Sequence, residues 1–157
     1  MPDNYERMIA LITEFFDTKN DPDQISVTEA DREKLLAIHP ATMSELANED
    51  GPIVWILLVP TTQTIMDHFI KGELSEQKLL DETKPGDVYE AIYLCSGFVL
   101  PEYRNNGLAK KVGLDAIRSI CKDHPIRSLF YWPFSTEGKA LAEGAAKELG
   151  LQLFEKK

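Results

Sequence analysis

Apolar positions along the chain recur with two different periods, and each change of period marks an element. In residues 4–17 they fall at Met8, Leu11, Ile12, Phe15 and Phe16, the stripe of an amphipathic helix. After a polar break containing Pro22, Thr28 stands as an N-cap, with Asp31 three residues on and Leu35, Leu36 and Ile38 following in period. Pro40 disfavours helical geometry before it, so this helix closes near His39. A short helix is expected over residues 41–47, then a turn at Asn48-Glu49-Asp50-Gly51-Pro52. Residues 53–59 form an uninterrupted apolar run suited to a buried strand. Residues 61–71 and 75–82 read as two short helices divided by Gly72, and 84–87 as another turn.

The second half alternates more plainly. Residues 88–99 are rich in β-formers (Val88, Tyr89, Ile92, Tyr93, Phe98, Val99), and Pro101 ends the run. From Leu108 the spacing becomes four, through Val112, Ala116 and Ile120, with Ala109, Gly113, Ile117 and Cys121 beside them. That is a helix with a closely packed face. An aromatic strand over 128–134, a helix over 138–148, Gly150 as its C-cap and a last strand over 151–154 complete the chain. The order predicts one α/β (α+β) domain over residues 1–157, helix-rich in 1–87.

The chain has 157 residues, 43% of them hydrophobic and 27% charged, enough apolar surface for a folded core. Its longest apolar run falls short of the ~18 residues of a membrane span, and the first residues lack the apolar stretch of an export signal. Cys95 and Cys121 make no disulfide framework, so the expected location is the reducing cytoplasm. Histidines scattered at 39, 68 and 124 argue against a zinc site. The net charge of −9 argues against nucleic acid, whose phosphates call for basic patches. That charge is unevenly placed. Residues 1–90 hold 7 basic and 19 acidic residues, whereas residues 91–157 hold 10 basic and 7 acidic ones. One half favours a cationic ligand and the other an anionic one.

The chemistry concentrates in Val99-Leu100-Pro101-Glu102-Tyr103-Arg104-Asn105-Asn106-Gly107-Leu108-Ala109-Lys110-Lys111, which joins a strand to a helix. The first N–H groups of a helix lack intrahelical partners, and its dipole end is positive. A glycine there lets a bulky anion such as a pyrophosphate approach the backbone. Asn106-Gly107 is also a hairpin signal, but the spacing of four that follows excludes a second strand. The segment lacks the Gly-Lys-Ser/Thr of a Walker loop and the GxGxxG of a dinucleotide fold.

This segment resembles the acyl-CoA-binding motif of the GNAT superfamily of N-acetyltransferases, Arg/Gln-x-x-Gly-x-Gly/Ala. Arg104, Gly107 and Ala109 match its core, with Val99 and Pro101-Glu102-Tyr103 ahead of it; the likeness covers roughly residues 88–154. It implies a mixed, splayed sheet with helices on both faces and an acyl-CoA, most simply acetyl-CoA, as co-substrate without a metal. It implies that the backbone N–H groups of Arg104, Asn105, Asn106, Gly107, Leu108 and Ala109 hold the pyrophosphate. Pantetheine would lie along the strand ending at Val99, paired to backbone near Phe98 and Leu100, with Gly97 permitting close approach. The implied reaction is direct attack of a primary amine on the thioester. The family's usual carboxylate position on this strand is Tyr93 here, with Glu90 three residues earlier. Ala146 stands where the family's thiolate-protonating tyrosine would be and Lys139 where an asparagine is usual, which leaves Tyr131 as the candidate acid.

Other residues have plainer readings. Cys95 is a small apolar strand residue or an acylation site; His68 is a surface or core residue; Trp132 and Phe134 are core or a substrate wall. Lys110 and Lys111 are solvated lysines or partners of the coenzyme's 3′-phosphate. The expected function is acyl transfer from coenzyme A to a small-molecule or peptide amine, cationic by the charge split. The expected partners include neither nucleic acid nor membrane, but allow a homodimer. A non-catalytic acyl-CoA-binding sensor of the same fold is the alternative.

Overall fold

A computed structural model describes residues 3–19, 29–104, 106–132 and 136–155. Helix α1 (Asn4–Lys19) opens where the Asp3 carboxylate accepts the N–H of Glu6 at 2.8 Å. Helix α2 (Glu29–Ile38) ends ahead of Pro40; its expected cap, Thr28, lies outside the described residues. His39 then caps a 3-10 turn (Pro40–Thr42), its Nδ1 accepting the N–H of Ala41 at 3.0 Å. That acceptor role places the ring proton on Nε2, which donates to Asp123 Oδ2 at 2.7 Å.

The helix expected over 41–47 is a strand, β1 (Met43–Asn48), in an antiparallel hairpin with β2 (Gly51–Thr61). Seven residues are too few to hold a helix by local bonds alone. Pairing with the apolar run on β2 supplies every residue with a cross-strand partner and decides the matter. Gly51, at φ +118°, makes the turn. Pro60, which pairs with Ile92 on its other side, lies on β2 beyond the end of β1, whose last partner is Leu57, so a missing N–H on the β1 side interrupts no ladder.

Helices α3 (Gln63–Ile70) and α4 (Glu76–Glu82) follow, capped by the hydroxyls of Thr62 and Ser75. Strand β3 (Ala91–Val99), helix α5 (Leu108–Asp123), strand β4 (Ser128–Tyr131), helix α6 (Thr136–Leu149) and strand β5 (Gln152–Glu155) complete the order. The five strands form one mixed sheet in the order β1-β2-β3-β4-β5, the first three antiparallel and the last two parallel additions. Two cores result. Met8, Ile56, Leu58, Ile92, Ile117, Ile120 and Ala146 join α1, α5 and α6 to one side of the sheet. Leu35, Val59, Met66, Phe69, Leu80, Tyr93 and Phe130 join α2, α3 and α4 to the other. Among the described residues, no helix is long and apolar enough to cross a membrane, and no cluster of His, Cys, Asp and Glu could hold a metal.

The end of α5 carries a pH-sensitive contact. His124 lies against the ring of Tyr89 (4.6 Å between centroids) and near His39 (6.1 Å), and its Nδ1 accepts the N–H of Tyr89 at 3.4 Å. Burial lowers its pKa below 6.5, the neighbouring His39 lowers it further, and Asp123 opposes them. The unfolded chain therefore takes up this proton at a higher pH than the folded one. Its contribution to stability is complete above about pH 6.5 and is lost as the pH falls through the lower folded value. The melting temperature should drop between pH 7 and 5, and His124→Gln should flatten that part of the profile.

Candidate functional site

Strand β3 carries the site because its two neighbours treat it differently. Along β2 it is paired throughout, from Ala91 opposite Thr61 to Val99 opposite Val54. Along β4 it is paired only at Ala91, Ile92 and Tyr93, opposite Ser128, Leu129 and Phe130. Strand β4 ends at Tyr131, one residue beyond the last of these pairs. Residues 94–99 present an edge that no other described strand takes up.

The β2–β3 ladder breaks register between Leu57 and Leu58, which face Ser96 and Leu94, so Cys95 is the extra residue of a β-bulge. The bulge resets which backbone groups face the open edge. The N–H of Leu100 donates to Ile53 O at 3.0 Å, and its carbonyl accepts the N–H of Tyr103 at 2.9 Å. By antiparallel alternation Val99 and Gly97 then turn their N–H and C=O away from β2. Phe98 and Leu100, near which ligand pairing was expected, instead turn their backbone N–H groups toward β2 in this alternation. The open edge belongs to Gly97 and Val99, and Leu100 is a fully buried anchor. A Cβ on Gly97 would stand 2.9 Å from Ile56 Cδ1, so the glycine leaves room for the Ile56 side chain packed over it.

The loop after β3 is tied down at three points. Glu102 pairs with Arg7 of α1, each drawing the other's pKa toward its charged form. The hydroxyl of Tyr103 accepts from Asn48 Nδ2 at 2.8 Å, and Arg104 Nε donates to Val99 O at 3.1 Å. Asn105 lies outside the described residues, and Asn106 is exposed. Gly107 is the N-cap of α5 at φ +81°, and a Cβ there would meet nothing within 4 Å. Leu108 and Ala109 rest partly buried on the core, leaving the first-turn N–H groups without helical partners. Of the two lysines, Lys110 leans toward α6, its Nζ 3.6 Å from Glu148, and Lys111 is exposed.

The three residues expected to carry chemistry are placed differently. Glu90 lies just before β3, where its backbone joins Thr61 of β2 to Arg127 and Ser128, at the closed end of the strand pair. Tyr131 is the last β4 residue, one past the last β3 pair. It is 5% exposed, and burial, with Glu155 and Glu143, raises its pKa. Its phenol stays protonated at neutral pH and can donate a proton. Tyr93 is 1% exposed between Phe69 and Phe130, 4.8 and 5.2 Å away by ring centroids, and its hydroxyl donates to Glu76 Oε2 at 2.7 Å.

Sequence reasoning missed Glu76. This carboxylate opens α4, is 1% exposed, and its Oε2 also receives the thiol of Cys95 at 3.4 Å. The only sequence signal was its place after the capping Ser75, where a carboxylate suits the first turn. Trp132 is half-buried and Phe134 lies outside the described residues. Ala146 is buried in the core at 5% exposure, while Lys139 is exposed. Compared with family models, with curated proteins and with solved structures, the chain matches none.

Proposed function

We propose that the protein is an acyl-CoA-dependent N-acyltransferase of GNAT type, acting in the cytoplasm on a primary amine. One observation carries the reading: the Arg104-x-x-Gly107-x-Ala109 segment leads from the end of β3, whose residues 94–99 pair with no described strand on the β4 side, into the N-terminus of α5. The pyrophosphate would meet the N–H groups of Gly107, Leu108 and Ala109. The pantetheine amides would pair with Gly97 and Val99 in place of the missing strand, and Arg104 would release the Val99 carbonyl to take a phosphate. The thioester then lies toward the end of β4 at Tyr131, whose phenol supplies a proton to the departing thiolate. The acidic first 90 residues, at 7 basic to 19 acidic, favour a cationic acceptor.

The non-catalytic reading draws on one observation as well. The position of the family's usual acid is Ala146, a core methyl with no proton to give. Thiol release separates the two readings. Incubated with acetyl-CoA and amines of differing charge, the protein should release coenzyme A fastest with polycationic acceptors, and raised salt should slow that reaction. Coenzyme binding without release for any amine would leave a binding domain.

A further inference from the structure

Glu76 is a carboxylate almost wholly removed from water, on the helix whose Leu79 and Leu80 join the second core, and a buried carboxylate calls for hydrogen-bond partners. Its Oε2 is shared by a phenol at 2.7 Å and by the thiol of Cys95 at 3.4 Å. Cys95 is partly exposed, and it is the bulged residue of β3, two positions beyond Tyr93, the last residue paired to β4. A pantetheine arm laid along Val99 and Gly97 from the α5 N-terminus brings its sulfur toward this bulge. Nucleophile, proton acceptor and open strand edge thus meet at one place.

We propose that Cys95 accepts the acyl group from coenzyme A before the amine does, with Glu76 as its proton acceptor and Tyr93 holding Glu76 in position. The inference rests on the acyl-CoA reading above and replaces direct attack with two transfers. In the first, the Cys95 S–H proton passes to Glu76 as Sγ bonds to the acyl carbon. The bond from that carbon to the coenzyme sulfur breaks, its electron pair leaves with the thiolate, and Glu76, in place of Tyr131, returns the proton to it. In the second, the amine nitrogen attacks the Cys95 thioester, the amide forms, and the amine's proton ends on the restored thiol. Thiol and thioester exchange on equal terms, so no oxidant or further reactant is needed.

The first transfer needs no acceptor, which makes it directly measurable. After incubation of the full chain with acetyl-CoA, intact mass should rise by one acetyl group, mapped to the Cys95 peptide and removed by neutral hydroxylamine as a thioester is. Cys95→Ala should lose it. Glu76→Gln should slow it by about 10²-fold or more, the usual worth of a positioned proton acceptor. Each variant is paired with its coenzyme A-dependent rise in melting temperature. Should Glu76→Gln fail to fold, Cys95→Ala decides the matter, since it removes only a small side chain. A coenzyme A shift with no acetyl on Cys95, or with acetyl appearing equally on Cys121 or lysines, overturns the covalent route and leaves the acyltransferase reading standing. Loss of the coenzyme A shift in the wild type overturns that reading itself.

Discussion

On the proposed reading, replacing Gly107 by valine should abolish the stabilisation of the protein by coenzyme A. A ligand that binds only the folded chain adds roughly 2.7 kcal/mol at a hundred times its Kd, so the wild-type shift is large and easily read. Gly107 holds φ +81° at the α5 N-cap, a conformation that a β-branched residue adopts only at a cost of about 1–3 kcal/mol. The variant either keeps that backbone and projects its methyls into the space above the helix end, or relaxes and turns the first N–H groups away. Both outcomes remove the anion cradle. Gly72 supplies the control: it has the same φ of +81° and the same open surroundings, but lies in the turn between α3 and α4. Gly72→Val should lower the melting temperature while the coenzyme A shift persists. Equal shifts in both variants would place the phosphates elsewhere.

Phe69→Ala should cost about 3–5 kcal/mol of folding stability, the largest effect of any single truncation expected here. The ring is fully buried on α3 and lies against the last pair of β3 and β4, 4.8 Å from Tyr93 and 5.7 Å from Phe130 by centroids. Those partners are themselves fixed by the sheet and by the Tyr93–Glu76 hydrogen bond, so the site cannot collapse to fill the void. Domains of this kind are typically stable by about 5–15 kcal/mol, so a large share is lost at once. Urea unfolding reads the cost as a lower midpoint at an unchanged slope. A loss below about 1 kcal/mol would mean that this second core is not closely packed.

The legible parts of the fold were those decided locally. The apolar run of β2, the spacing of four that opens at Leu108, and the glycines at the α5 entrance and after α6 all act within a few residues. Gly107 and Gly150, at φ +81° and +68°, stand where helix ends need positive φ. Strand β1 was illegible because its few residues carry no clear period and take their form from β2 across the hairpin. The phase of the β3 edge was illegible for a sharper reason. A bulge at Cys95 shifts the alternation by one, and nothing in residues 91–99 alone places it, since its position depends on pairing with Leu57 and Leu58. Glu76 escaped notice for the same kind of reason. Its meaning comes from α4 folding over that bulge, 17 and 19 residues away along the chain.

The claim that coenzyme A lies along β3 with its phosphates at α5 is tested most directly by amide NMR of the chain titrated with coenzyme A. The largest shifts should fall on Gly107, Leu108, Ala109, Gly97 and Val99, while the amide of Leu100, bonded to Ile53, moves little. Shifts centred on Phe98 and Leu100, or confined to residues away from β3 and the start of α5, would contradict it.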